Sequence, residues 1–297
     1  MQGVAKLHLQ VVGCATVEEM NSNVTATIER GYTGLETVMD SELGKRVHLC
    51  GAGPSLRDSY KEIPDGESIF AVNSAIGFMI EHDRPPQWAM IWDASPVCSK
   101  FAVPHPDVTY LIGARCHPSV FERLNGCRVI VWYAGGDHNI TQYLQSRGMN
   151  VPLVNGGTAG VTRGIYLAYA LGYRDLHIHG ADSCYSDEGD THVRGSLVPE
   201  KSLHVMVGEN GKWFRTTPEM CAQIEEMKVI YPSFMQPELG ASFKMYGSGM
   251  MQHVVSIMEK DRNVALANAQ AMLMDAGGHV GIFPQPQSLE PLQGVPA

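Results

Sequence analysis

"GTAGVTRGIYLAYALGYRDLHIHGAD", residues 157–182, decides the fold. Its first half has helical spacing: Val161, Ile165, Ala168 and Leu171 recur at i, i+4, i+7 and i+10 and share one face. Gly172 is a natural stop, because glycine takes the left-handed conformation that ends helices. The second half, "RDLHIHGAD", is a short apolar strand that ends on small and acidic residues. "VPLVNGG" (151–157) is another short strand just before the helix. Strand, helix and strand in this order make a βαβ unit with parallel strands.

The same pattern continues toward the N-terminus. "RVHLCG" (46–51), "SIFAVN" (68–73), "WAMIWD" (88–93), "VTYLIG" (108–113) and "RVIVWYA" (128–134) are continuous apolar runs. Helix-compatible stretches separate them, as expected for buried parallel strands. "KLHLQVVGCA" (6–15) reads as a further strand, and Thr16 with Glu19 forms a capping box for a helix that stops at Gly31. "LHVMVGENGKWFRTT" predicts a hairpin around Asn210-Gly211, then a helix from Thr217-Pro218 with proline at its first position. A last helix is expected over about 263–276, and the Pro/Gln-rich tail is expected to be disordered.

The fold class is therefore α/β: a doubly wound, mainly parallel, Rossmann-like sheet with a C-terminal β-hairpin and helical appendage. The expected division is an N-terminal strand-helix extension (1–43), a Rossmann-like core (44–200), a hairpin and helices completing the domain (201–283), and a disordered tail (284–297).

With 22 Lys and Arg against 31 Asp and Glu, the net charge of −9 argues against broad nucleic-acid binding, though a small basic pocket is allowed. No apolar run reaches the ~18 residues of a membrane span, and the N-terminus lacks a signal-peptide layout, so a cytoplasmic protein is expected. The seven cysteines include no C-x-x-C pair, which predicts reduced thiols and no structural zinc. A homo-oligomer is left open.

In doubly wound sheets ligands sit at the carboxyl ends of the strands. Gly51, Gly53, Pro54 and Ser55 form a loop poor in side chains, where backbone N–H groups could cradle phosphate; the same glycines could serve a tight turn. Asn73, Ser74 and the stretch Gly113 to Arg115 end other strands. Gly157, Thr158, Ala159 and Gly160 precede the helix above and form a second anion-ready loop. Asp93 and Asp182 end two strands taken here as neighbours, and could hold Mg²⁺ or serve as turn residues. His192 lies in a polar loop, 183–202, read as a functional lid or a disordered segment; it could swing over substrate as a base or be a solvated surface histidine. His177 and His179 share a strand face, and core hydrogen bonding is favoured over zinc.

"CGAGPSL", "FAVNSA", "IWDASP" and the 157–182 block, in this order, resemble the MptE-like 6-hydroxymethylpterin diphosphokinase family, which includes many phage and bacterial proteins. A more distant similarity is to single-domain bacterial sialyltransferases. The resemblance covers about residues 16–255. It implies a transferase in the cytoplasm of a bacterium or phage-infected host, with a nucleotide and a small-molecule acceptor as partners. It implies Gly51, Gly53, Pro54 and Ser55 as the first phosphate loop, Asn73 as a nucleotide contact, and Thr158, Ala159 and Gly160 as the second loop. Asp93 and Asp182 take the place of the family's strand-end acids. His192 lies where the sialyltransferase loop brings its catalytic histidine, although its flanking residues differ. The implied activity is diphosphoryl transfer from ATP, with Mg²⁺, to a hydroxyl of the acceptor. Two alternatives are a glycosyltransferase using a CMP-type sugar and a non-catalytic nucleotide-binding protein.

Overall fold

The computed structural model describes residues 15–135, 138–195 and 204–275, the side chains of 138, 139 and 266–275 excepted. The expected strand at 6–15 and the tail lie outside the described residues. Nine strands, all parallel, form one sheet among the described residues. They are β1 (Thr33–Gly34), β2 (Arg46–Cys50), β3 (Ile69–Val72), β4 (Trp88–Ile91), β5 (Thr109–Gly113), β6 (Arg128–Ala134), β7 (Leu153–Val154), β8 (Asp175–His179) and, after the hairpin, β11 (Ser242–Met245). The order is β1-β6-β5-β4-β3-β2-β8-β11, with β7 beside the end of β6. The hairpin β9 (Val205–Glu209) and β10 (Lys212–Thr216) stands apart as an antiparallel pair. Its turn is Asn210 and Gly211, both at positive φ as a two-residue hairpin requires.

From β2 to β6 the chain steps across the sheet in one direction. It then returns to lay β8 on the other side of β2. The strand order reverses between β2 and β8, and that reversal is where such sheets bind ligands. The return is made by α6 (Gly160–Ala170), which packs across β2, β3 and β4. Two glycines permit this approach: a Cβ on Gly160 would lie 2.7 Å from Val72 Cγ1, and one on Gly164 3.0 Å from Leu49 Cδ1. Gly160 is thus required by helix-on-sheet contact.

The central strands β3, β4 and β5 are buried along their whole length, as continuous apolar runs predict. The largest fully buried side chains, Trp132, Tyr110 and Tyr173, have their polar tips bonded: Trp132 Nε1 donates to Leu111 O, Tyr110 OH to Val103 O, and Tyr173 OH accepts from Trp88 Nε1. The helix α1 (Val17–Glu29) opens with the expected Thr16/Glu19 capping box. α7 (Pro218–Phe234) is capped by Thr217, whose side chain accepts from Met220 N.

Two expectations are corrected. The last helix, α8 (Met250–Asp275), begins 13 residues before the expected start at Asn263. Residues 242–245 form an edge strand where none was expected. The chain divides into two units, Met1–Ser256 and Ile257–Ala297, and of the second only helical residues up to Asp275 are described. β1 joins the same sheet as the core strands, so part of the expected N-terminal extension is built into it. No described helix is long and apolar enough to cross a membrane. The six cysteines among the described residues are free thiols.

Candidate functional site

A cleft of about 580 Å³ opens at the carboxyl ends of the strands. The β2 and β8 loops contribute Gly51, Gly53 and Asp182, the β3 end Asn73 and Ser74, and the β4 end Trp92 and Asp93. Thr158, Ala159 and Gly160 line the side before α6, and His192 lies on the loop opposite. Pro54, Ser55 and Gly157 are not among the lining residues.

The first loop differs from expectation in what its amides do. Gly51 N donates to His179 O at 2.8 Å and Gly53 N to Gly180 O at 2.7 Å, while Ser55 N donates to the Asp182 carboxylate at 2.8 Å. The β2 loop is thereby zipped to the β8 loop. Neither Gly51 nor Gly53 has positive φ. Their small size is required by the protein itself: a Cβ on Gly51 would sit 2.6 Å from Gly180 O, and one on Gly53 2.7 Å from the same oxygen and against the Asp182 carboxylate. Gly180, at φ +60, meets Gly51 from the other side. Of the N–H groups from 51 to 55, only that of Ala52 lacks an acceptor among the described residues, and Ala52 lines the cleft.

The second loop is similarly engaged. Thr158 N donates to both carboxylate oxygens of Glu226 on α7, at 2.9 and 2.8 Å, so a side-chain anion already sits at this turn. Gly157 lies against the same carboxylate, where a Cβ would overlap it.

The strand-end acids are not neighbours. Three strand spacings separate β4 from β8, roughly 14 Å at about 4.8 Å each. Asp182 is buried, its carboxylate accepting from Ser55 N and from Gln252 Nε2 at 3.2 Å, and burial raises its pKa. It acts as a clasp on the β2 loop. Asp93 Oδ1 accepts from Ser95 N at 3.0 Å and the residue lines the cleft. An Mg²⁺ shared by both acids does not fit, whereas Asp93 alone can offer a single carboxylate to one. No described group of three or more metal-ligating side chains exists.

At the start of α3 (Ser74–Glu81) the geometry is different. Asn73, which precedes it, has φ 51 and ψ −122, a sparsely populated conformation for a residue other than glycine. Asn73 Oδ1 and Ser74 Oγ are both buried and have no hydrogen-bond partner among the described residues. The first N–H groups of a helix also lack intrahelical acceptors and carry partial positive charge. The same cleft is lined by Arg115, which the strand-end pattern pointed to but no motif marked. Its guanidinium stacks 4.1 Å from the Trp92 ring centroid and Nε donates to the Trp92 carbonyl. Arg115 forms no ion pair among the described residues. Arg163, on α6, lies 4.6 Å from the same ring, and burial together with the Arg115 charge lowers its pKa to about 10.

His192 is anchored, where a swinging lid was expected. Val193 N donates to Ala52 O at 2.8 Å, and His192 and Gly195 exchange backbone hydrogen bonds of 3.0 Å. Arg57 ties the segment down: Nε donates to Val193 O, and Nη2 donates to Asp190 Oδ2 at 2.6 Å and to His192 O at 3.3 Å. The imidazole Nδ1 pairs with Thr191 Oγ1 at 2.9 Å. Burial, reinforced by the Lys100 charge, lowers the His192 pKa to about 4, so the ring is neutral near pH 7. Residues 196–202 of the expected lid lie outside the described residues. His48, His177 and His179 form a separate group behind the β2 loop, with His48 Nδ1 3.0 Å from His179 Nε2.

A family model described as 6-hydroxymethylpterin diphosphokinase MptE-like matches residues 19–188, more than half of the chain. No curated protein matches. Among solved structures, the Maf glycosyltransferase of Magnetospirillum magneticum AMB-1 is similar at 16% identity and a TM-score of 0.59, over 81% of this chain and 38% of that one. This likeness is one of fold, and the chain spans 38% of that protein's length. The sialyltransferase CstII of Campylobacter jejuni, solved with cytidine-5'-monophosphate, aligns at 14% identity and a TM-score of 0.29, over 68% of this chain and 80% of that one.

Proposed function

This chain belongs to the MptE-like family, and on that premise we propose that its cleft binds a nucleotide and transfers a group from it to a hydroxyl of a small acceptor. One observation carries the reading. Among the described residues, an arginine without a carboxylate partner, Arg115, and a buried hydroxyl without a hydrogen-bond partner, Ser74 Oγ, line the same cleft, which also takes in a helix N-terminus. Nucleotide phosphates supply the negative charge and acceptor oxygens that these groups lack.

In the diphosphokinase form, ATP lies with its phosphates toward Ser74, Asn73 and Arg115. The acceptor oxygen attacks the β-phosphorus, the bond from that phosphorus to the α–β bridging oxygen breaks, and AMP leaves. Neutral His192 takes the hydroxyl proton. Arg115 offsets charge as it builds on the leaving oxygen, the main contribution a protein makes to phosphoryl transfer. A bound Mg²⁺, held by Asp93, would neutralise phosphate charge. Arg57 and Asp182 touch no substrate in this scheme and hold the loops that carry His192 and Gly53.

A second reading, glycosyl transfer from a nucleotide-activated sugar, is favoured by one observation: the two acids lie too far apart to share a metal. In that case the acceptor oxygen attacks the anomeric carbon and the nucleotide leaves. Calorimetry with ATP, AMP, CTP and CMP, each with and without Mg²⁺, tests both. Tightest binding of ATP, strengthened by Mg²⁺, is expected for the first reading. Cytidine preference without a metal effect transfers support to the second. No binding of any of the four at ~1 mM overturns both.

A further inference from the structure

A side cavity of about 230 Å³ opens off the cleft, sharing Ser74, Phe101 and His192 with it. Phe101, Val103 and Gly77 supply apolar wall, while Lys100 and Arg194 are its two cations. Arg194 is neutralised by Glu81, with Nη2 2.5 Å from Oε2. It also packs over α3 at Gly77, where a Cβ would meet Nη2 at 2.9 Å. Lys100 has no carboxylate partner among the described residues; its Nζ lies 5.2 Å from the Phe101 ring centroid. Its charge is felt at His192, where it disfavours the imidazolium. The cavity thus combines one uncompensated cation, one aromatic wall and the neutral base that it shares with the cleft. Its volume is below the ~300–1,000 Å³ of drug-sized sites, which suits a small metabolite.

We propose that this side cavity is the acceptor subsite and that it selects a small hydroxylated acid. The acid's carboxylate or phosphate pairs with Lys100 at the rim, its body rests on Phe101 and Val103, and its hydroxyl reaches His192. With Nδ1–H donating to Thr191 Oγ1, the His192 Nε2 lone pair accepts the hydroxyl proton as the oxygen attacks the nucleotide-borne group. This rests on the reading that the larger cleft takes the nucleotide. It adds the charge class of the acceptor, which the fold does not specify.

The probes are gluconate, glucose 6-phosphate and neutral glucose, titrated against the full chain with and without saturating ATP or CMP, whichever binds. Binding is read by ligand-observed NMR. One or both acids are expected to bind at least ten-fold tighter than glucose and without displacing nucleotide. Which acid binds distinguishes carboxylate from phosphate recognition. Lys100→Gln should abolish the preference for acid over glucose while leaving nucleotide Kd within two-fold and the melting temperature unchanged, because Lys100 is exposed. The inference is overturned if glucose binds as tightly as the acids. It is also overturned if the acids compete with nucleotide, if Lys100→Gln leaves the preference intact, or if neither acid binds at roughly 10 mM. If nucleotide binds and the acids do not, only the acceptor inference fails. If no nucleotide binds, the cleft reading fails first.

Discussion

The carboxylate of Asp182 accepts the backbone N–H of Ser55 at 2.8 Å, tying the end of β8 to the loop after β2 at the point where the strand order reverses. Gln252 Nε2 donates to its other oxygen. Asp182→Ala leaves the Ser55 N–H without its acceptor, and is expected to cost about 2–3 kcal/mol. Asp182→Asn keeps one carbonyl oxygen for that N–H and should cost about 1 kcal/mol. Urea midpoints of both variants check the order. Equal losses would contradict the clasp.

Gly53 lies in the same seam. A methyl there would press on Gly180 O and the Asp182 carboxylate, so Gly53→Ala is expected to destabilise by roughly 1–3 kcal/mol. The loss should appear in the melting temperature without any nucleotide present. A variant that melts as wild type but no longer binds nucleotide would restore the phosphate-cradle reading of this loop.

Much of this was legible in the sequence. The buried strands are continuous apolar runs, α6 carries a clear helical period, and Asn210-Gly211 allows the two positive φ values of its turn. β11 was not legible, because only Phe243 and Met245 of its four residues are apolar, the pattern of a short edge strand. The early start of α8 had a signal that went unused: Met250, Met251, Val254 and Val255 are all buried and recur at helical spacing. The site was legible as a set of strand ends and no further. Strand order is not written along the chain, so Asp93 and Asp182 could not be seen to stand three strands apart. Which acceptor a loop amide finds is equally hidden, and the glycines that suggested a phosphate cradle serve the contact of two loops. Arg115 was legible only as a strand end and Arg57 not at all; their partners in space give them their roles.

Arg57 holds the His192 segment from outside the cleft. Its ion pair with Asp190 is partly exposed, so Arg57→Ala should cost no more than about 1 kcal/mol of stability. Once a turnover assay is in hand, kcat should fall about ten-fold or more as the base loses its position, with nucleotide Kd kept. Arg57→Lys should recover little, since one ammonium cannot replace the guanidinium fork. An unchanged kcat in Arg57→Ala would separate His192 from the chemistry.

Acid should weaken the fold through the histidines behind the β2 loop. Burial lowers the pKa of His48 to about 4 and that of His179 to about 3, from an ordinary 6.5. Below pH 6.5 the unfolded chain takes up protons that the folded rings refuse. Their contribution is therefore fully present above about pH 6.5 and is lost progressively as pH falls toward 4. By pH 5 the pair should have lost on the order of 2–4 kcal/mol. Asp182, with its pKa raised, works in the opposite sense and offsets part of the loss. Urea midpoints at pH 7, 6 and 5 measure the slope; a flat profile would contradict neutral burial of the two rings.

The central claim is that nucleotide phosphate sits against Arg115 and the start of α3, and the dissociation constant of ATP or CMP for Arg115→Ala tests it most directly. A charged hydrogen bond lost from the site should weaken binding by roughly 10- to 100-fold. Arg115→Lys should fall between that variant and wild type, and the melting temperature of the unliganded protein should change little beyond the loss of the Trp92 contacts. Wild-type affinity in Arg115→Ala, with the protein folded, would contradict the account and place the nucleotide elsewhere.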